Sequence, residues 1–493
     1  MMNLTIEPWI PALRENGTRD LFSLSDLFAN AHEIRDLAVK PHERIALMRL
    51  LLCITQAALD GPADSDAWET CEPQIQPSVR DYLAKWHCAF ELFGKESRFL
   101  QLPMLQPGKD SDEGNPATKL DLALATGNNS TLFDNRAGEQ RLLVYARAAL
   151  NLLTFQCFSP GGRIGVARWN GKETPGKGSS NHAPCTPSSM IHTFILGSTL
   201  RQTLRLNLVT KDLIQDLPGN GWGKPIWEMP VAQIEDAPAV KNATQTYLGR
   251  LVPVSRAVRL NDDGVSIILS NGLDYPIFPA FREPTATIVK RKDDELGVLP
   301  ASTGRSFWRQ LHAVAVKRRA AADQISGPLS LCNLRDEQDT ALWLGALVTD
   351  KAKIEDLVEA SYSLPAGMLT DLGRMAYEGG VRYAEEIEGI LIQAVKAYAS
   401  ELKVASPSYD AARQHFWTRI EQNLSALFAI AKQHTPPDQL PGSDWGRTAQ
   451  QAARDAYEQV CPRQTPRQIQ AFALGLRRLS FTPKTAKPAR KKS

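Results

Sequence analysis

Residues 409–433 read YDAARQHFWTRIEQNLSALFAIAKQ, and Phe416, Ile420, Leu424, Leu427 and Ala431 recur in them every three or four positions. That spacing predicts a helix with one apolar stripe, which needs partners to cover it. Helical patterns over 365–402, 444–460 and 466–479 supply them, and the resulting architecture is a four-helix bundle spanning 351–480. Pro436, Pro437, Pro462, Pro466 and the Gly442-Ser443 pair mark the joints, and Gly379-Gly380 predicts an interruption in the first helix.

Upstream the character of the chain changes. Residues 1–350 alternate short branched segments with Pro and Gly punctuation and a few helices. Helical spacing predicts helices over 42–59 and 140–155, while 203–209, 257–260, 265–269 and 286–289 carry the composition of strands. The fold class is α+β: a large irregular mixed domain, then the bundle, then a disordered basic tail over 481–493 with five basic residues in its last ten and no acid.

Bulk properties narrow the function classes. At 493 residues the chain is too long for one growing core, and 43% hydrophobic with 23% charged residues is an ordinary globular balance. A net charge of +3 excludes a histone-like coat of charge and leaves local basic patches open. The seven cysteines are scattered with no C-x-x-C pair, so they read as reduced thiols and predict no metal site. Met1 to Leu13 lacks a basic stretch followed by an apolar run, and no window approaches a membrane span; the 45–58 stretch contains Arg49 and Gln56 and reads as a buried helix. A soluble, cytoplasmic protein is expected.

Residues 158–189 form a long Gly-, Pro- and Ser-rich stretch without periodicity, which in a compact domain is usually functional or disordered. Within it, Gly171 to Gly178 fits the phosphate-binding pattern except at its last position, where Gly178 replaces the magnesium-holding hydroxyl, and no helix can follow. Cys157 or Cys185 with His182 or His192 could form a thiol-imidazole pair, although nothing in the spacing requires it. An alternative reading is therefore a hydrolase or nucleotide-binding enzyme using this loop, with Lys177 and Cys157 as its testable residues; a purely structural scaffold is a third.

Two features suit a polyanion or duplex better. Gly161, Gly162 and Gly165 surround Arg163 in SPGGRIG, where absent side chains let backbone N–H groups approach a ligand; a simple glycine turn would look the same. Thr303 to Gln310, TGRSFWRQ, interleaves arginines with aromatics, and its bland reading is a core aromatic pair beside a helix start.

The chain resembles the CasA family, the large subunit of the type I-E CRISPR Cascade complex. The resemblance runs in order through Asn3-Leu-Thr-Ile-Glu-Pro-Trp9-Ile-Pro11, Leu132-Phe-Asp-Asn135, the glycine loop after Phe155-Gln-Cys-Phe158, Trp308-Arg309-Gln310 and Ala411 to Trp417. It implies a non-enzymatic subunit of an antiviral, RNA-guided surveillance complex. Such a subunit recognises the protospacer-adjacent motif in double-stranded DNA and opens the duplex to start the R-loop. It implies that Gly161, Gly162, Arg163 and Gly165 read the motif with Lys241, that Arg309 and Gln310 form a strand-separating wedge, and that Phe133, Asp134 and Asn135 dock near the guide-RNA handle. The implied partners are target duplex DNA, guide RNA, the backbone, small and handle-binding subunits, and a helicase-nuclease. No cofactor, metal or membrane is expected. The minor groove distinguishes base pairs poorly, so a backbone amide and one cation suffice for several related motifs. Opening a step costs a few kcal/mol, which guide pairing then recovers in a nearly balanced exchange.

Overall fold

The helix Pro41–Leu59 forms the spine of the N-terminal part. Pro41 occupies the first turn, where its missing N–H costs nothing, and the Glu43 carboxylate accepts the Lys40 backbone N–H at 3.0 Å. Every residue from Ile45 to Gln56 is buried, as expected of a helix that is apolar nearly all round. It packs against the helices Glu72–Lys85 and Tyr145–Phe158 and the strand Thr340–Asp350. The structure, a computed structural model, describes residues 2–108, 114–124, 143–161, 164–174, 183–217, 221–232, 236–275, 283–291, 293–317, 325–350, 353–479 and 481.

Arg49 and Gln56, the polar interruptions expected in this helix, are both used. The Arg49 guanidinium bonds the Leu251 and Arg250 carbonyls at 2.9 and 2.8 Å and Glu283 at 2.9 Å, while Arg250 meets the other Glu283 oxygen at 2.5 Å. Gln56 donates to the Val209 carbonyl at 2.6 Å and accepts from the Tyr247 hydroxyl at 2.5 Å. Buried charge is tolerated because each donor has an acceptor.

Small antiparallel sheets surround the spine. Ile10–Arg14 runs between Arg19–Phe22 and Ile34–Leu37; Arg256–Leu260 pairs with Ser266–Asn271, which also pairs with Asn115–Pro116. Ala167–Trp169 lies between Leu105–Pro107 and Lys172–Glu173. Thr340–Asp350 lies between His192–Leu196 and Lys353–Leu364, with Leu342 opposite Ile195. The strands expected near 257–260, 265–269 and 286–289 are present, as Arg256–Leu260, Ser266–Asn271 and Ile288–Lys290. The one expected at 203–209 is not. Leu200–Leu206 is a helix because the Thr199 hydroxyl caps it by accepting the Gln202 N–H, which puts Leu200 and Leu204 on one buried face.

The chain forms two compact units, residues 1–335 with 340–363, and residues 336–339 with 364–493. The division falls at Leu364 rather than at 351. Lys353–Leu364 is a long strand joined to Thr340–Asp350, so the helical pattern begins later than composition suggests. Helix Asp371–Leu402 is the axis of the second unit and packs against Pro466–Leu476, Asp444–Val460, Leu424–Gln433 and Tyr409–Glu421.

Two expectations about the bundle are corrected. Asp371–Leu402 runs unbroken through Gly379-Gly380. A Cβ at Gly380 would stand 2.5 Å from the Leu427 side chain, and the Trp445 indole N–H donates to the Gly380 carbonyl at 2.8 Å, so this glycine serves close helix approach. Residues 409–433, conversely, are two helices, Tyr409–Glu421 and Leu424–Gln433. Asn423 ends the first by turning its side-chain amide onto the Arg419 carbonyl at 2.8 Å, a local bond that competes with the helix ladder. Phe416, Ile420, Leu427 and Ala431 remain fully buried across the break, whereas Leu424, the stripe residue at the break itself, is half-buried.

Candidate nucleic-acid interface

The glycine-bearing loop is launched from a buried polar anchor. Helix Tyr145–Phe158 is buried from Ala148 to its end, and Gln156 is the polar residue that holds it in place. The Gln156 amide donates to the Leu100 and Arg256 carbonyls at 3.0 and 2.9 Å, and its oxygen accepts the Arg256 backbone N–H at 2.9 Å. The Ser159 N–H closes the helix on the Phe155 carbonyl at 2.7 Å.

Arg256, 2% exposed, then takes over. Its Nε donates to Ser159 Oγ at 2.8 Å, its Nη2 to the Pro160 carbonyl, and its Nη1 to Asn271 Oδ1 at 3.0 Å. Burial lowers its pKa to about 10, with Asp274 opposing the shift, so the guanidinium remains charged at neutral pH.

From this anchor the chain leaves through half-buried Gly161 to exposed Gly165 and returns to the same place. Ala183 N–H reaches the Ser159 carbonyl at 3.2 Å, and Cys185 N–H reaches the Cys157 carbonyl at 3.2 Å. Among the described residues a Cβ at Gly165 would meet nothing closer than the Leu269 carbonyl at 3.9 Å, so these residues do not require glycine there.

Between the two ends lies a hairpin that the aperiodic composition of 158–189 hides. Asn170 and Gly171 both have positive φ, 48° and 78°, as a type I′ turn demands, and they join Ala167–Trp169 to Lys172–Glu173. Gly171 is therefore a hairpin-turn residue. The resemblance to a phosphate loop fails at its first glycine, because strand follows it.

The thiol-imidazole pairing of Cys157 or Cys185 with His192 is a packing arrangement, and His182 lies outside the described residues. Cys157, Cys185 and His192 are 0%, 2% and 0% exposed. His192 Nδ1 pairs with the Thr285 hydroxyl at 2.8 Å and Nε2 with the Cys185 carbonyl at 3.4 Å, and burial pushes the Cys185 thiol well above its ordinary pKa. A buried neutral thiol is no nucleophile.

Gln310 is not the surface tip that its expected role suggests. It ends the short helix Phe307–Gln310, is 8% exposed, and donates to the Pro300 carbonyl at 3.3 Å. Its own carbonyl oxygen is buried without a partner among the described residues. Trp308 beside it is buried at 1%, and the exposed part of this region is the turn Ser302 to Ser306. Arg309 is half-buried.

The two candidate segments are linked through the backbone. Ser189 and Met190, which end the loop region, pair with Ala301 and Pro300, and Pro300 is the acceptor of Gln310. Lys241 is exposed on helix Ala237–Gln245. Gly162, Arg163, Lys177, Phe133, Asp134 and Asn135 lie outside the described residues.

Sequence reasoning missed Arg256 and Gln156. A signal existed for both: a glutamine inside the apolar run LLTFQCF, and an arginine between Ser255 and the strand residues Ala257 and Val258.

Residues 3–456 match the family described as CRISPR-associated protein Cse1. The chain belongs to the Cse1 (CasA) family. CRISPR-associated protein CasA/Cse1 of Thermus thermophilus is 31% identical over 427 residues, covering 82% of this chain and 78% of that protein. The solved structure of Thermus thermophilus CasA (Cse1) superposes with a TM-score of 0.74 at 24% identity, over 97% of this chain and 99% of that one. A chain of a CRISPR RNA-guided surveillance complex superposes at 0.75 and 18% identity, over 97% and 99%. The backbone architecture is thus shared with these chains at 18–24% identity. Among the described residues no helix is long and apolar enough to cross a membrane, and no group of three or more metal-ligating side chains forms.

Proposed function

We propose that this Cse1 chain is the large, non-enzymatic subunit of an RNA-guided surveillance complex that recognises a short motif in duplex DNA and begins strand opening beside it. The observation that carries the reading is Gly165: exposed, with no neighbour among the described residues that its missing side chain accommodates, in a loop whose two ends are pinned to the core. Glycine without an internal steric reason fits close approach by an external backbone.

In this reading Gly161, Gly162, Arg163 and Gly165 present amides and charge to the groove, with Lys241 as the single outlying cation. Contacts that few distinguish A·T from G·C pairs but tolerate related motifs. Phe133, Asp134 and Asn135 meet the guide-RNA handle and a neighbouring subunit. The further partners are the backbone and small subunits, target DNA and a helicase-nuclease effector, and the complex works in the cytoplasm.

Arg309 and Gln310 supply the wedge. Gln310 acts by leaving its seat: among the described residues one long bond to Pro300 holds its side chain, and its buried side-chain oxygen is unsatisfied, a condition that costs about 1–3 kcal/mol. Swinging outward recovers part of that cost and delivers a polar side chain to the base step. Guide pairing completes the opening.

The test compares a matched closed duplex with one already unpaired beside the motif. Gln310→Ala in the reconstituted complex should weaken or slow binding to the closed duplex by about tenfold, as one lost polar contact in an opening step allows, and leave the pre-opened one nearly unchanged. Equal loss on both substrates overturns the wedge.

A further inference from the structure

We infer that Arg256 is the positioning residue of the glycine-bearing loop: from beneath, its guanidinium holds Ser159 and Pro160 and so sets the direction in which the chain leaves helix Tyr145–Phe158 toward Gly161. The inference rests on the motif-reading proposal and deepens it.

Arg256 differs from an ordinary core residue in where its donors go. A guanidinium carries its N–H groups in a rigid planar fork, so satisfying several at once fixes the relative placement of their acceptors. Here Nε binds Ser159 Oγ at 2.8 Å and Nη2 binds the Pro160 carbonyl, which are the two residues before Gly161, while Nη1 binds Asn271 Oδ1 at 3.0 Å. The Arg256 backbone is itself clamped by Gln156, through its N–H and its carbonyl, both at 2.9 Å. Ser255 Oγ adds a bond to the Gln156 carbonyl at 2.6 Å. The strand Arg256–Leu260, the strand Ser266–Asn271 and the end of the helix therefore meet on one planar group at the root of the loop.

The consequence is preorganisation. A loop that reads DNA with backbone amides cannot choose rotamers to improve its fit; its selectivity depends on where the backbone already points. A Ser159–Pro160 root with free torsions would spread Gly161 over many directions. Discrimination between flanking motifs should then fall while nonspecific phosphate attraction stays. Lysine at 256 keeps the charge but offers a point donor on a flexible stem; glutamine keeps a single donor nitrogen and removes the charge.

The experiment uses the full chain assembled with guide RNA and partner subunits. Arg256→Gln, Arg256→Lys and Ser159→Ala are measured on duplexes sharing one protospacer with randomised flanks, and on a pre-opened target. Arg256→Gln should lower the ratio of preferred to disfavoured flanks about tenfold, the usual scale for losing charge-assisted bonds, with pre-opened binding within about twofold. Arg256→Lys should rescue part of the ratio, and Ser159→Ala should lower it by about threefold. Intact preference in Arg256→Gln, or equal loss on closed and pre-opened targets, overturns the inference. If Arg256→Gln does not assemble, Ser159→Ala decides, and unchanged preference in it overturns the inference too. Gly165→Leu separates this inference from its parent. If Gly165→Leu leaves the flank preference whole, the loop does not read the motif; if it abolishes the preference while Arg256→Gln keeps it, only the role of Arg256 falls.

Discussion

His42 is a buried polar residue at the start of the spine helix, 1% exposed and edge-on to Phe158. Burial first, then the nearby Lys40 and Arg147 charges, lower its pKa to about 3, with Asp121 opposing. In the unfolded chain the imidazole takes its proton near the ordinary 6.5, whereas the folded chain resists it down to about 3. Acid therefore favours unfolding between these values. Stability is full above pH 6.5 and should fall by at most ~1.4 kcal/mol per pH unit below it. His42→Phe should flatten that slope, measured by hydrogen exchange in Pro41–Leu59 at about pH 7.5 and about pH 5, on either side of the ordinary imidazole range. The Arg49, Glu283 and Arg250 triad behaves differently. Glu283→Gln leaves two buried guanidinium groups short of their shared counter-ion and should cost roughly 3–5 kcal/mol by denaturant unfolding.

At the level of elements, Gly380 tests the helix packing of the second unit. A Cβ there would stand 2.5 Å from Leu427 Cδ1, at the point where Trp445 donates to the Gly380 carbonyl. Gly380→Ala gains helix propensity but must displace Leu427 or the indole, and overpacking of this kind costs about 1–3 kcal/mol. The expected result is a lower unfolding midpoint for helices Asp371–Leu402 and Asp444–Val460, read by hydrogen exchange, with Pro41–Leu59 unchanged.

The same glycine shows what was legible from sequence. The apolar stripe of 409–433 announced a bundle because burial alone sets the spacing of Phe416, Ile420, Leu427 and Ala431. The break at Asn423 and the continuity at Gly379-Gly380 depend on side-chain bonds and on partners distant in sequence, so local pattern misjudged both. Lys353–Leu364 was lost for a similar reason. Its alternating exposure follows from pairing with Thr340–Asp350, and a charged, polar strand of that kind resembles a helix start. In the N-terminal unit the two tryptophans of the resemblance are core residues, whereas Ile6, Glu7 and Pro8 beside the first are exposed. Trp9, 1% exposed, donates to the Leu4 carbonyl at 3.0 Å, and Trp308 is buried to the same degree, as Phe416 is in the second unit. Core residues keep their identity because packing penalises change. The candidate site was legible in its glycines, whose absent side chains are visible in sequence. Arg256 and Gln156 stand out as polar residues in apolar surroundings, but their link to the loop was not legible, since nothing local joins Arg256 to Ser159, 97 positions away.

For the molecule as a whole, charge bears on the proposed DNA binding. A net +3 over 493 residues gives little long-range field, so in that reading the motif is not selected by the net charge. The densest acid-free run of basic residues lies near the end of the sequence, with Lys484, Lys487, Arg490, Lys491 and Lys492, besides the shorter clusters Lys290 to Lys292 and Lys317 to Arg319. Each phosphate neutralised steepens the dependence of log affinity on log salt by about 0.9, so removing 484–493 should flatten nonspecific duplex binding by no more than about four to five units. Phosphate contacts position a protein without reading sequence. The truncated chain, assembled into its complex and titrated at several salt concentrations, should therefore bind all duplexes more weakly while keeping its ratio of preferred to disfavoured flanks. Arg256→Gln should do the reverse, losing the ratio and keeping the salt slope. If truncation instead erased the flank preference, motif reading would belong to the C-terminal end, and the buried fork under Ser159 would be no more than a feature of the core.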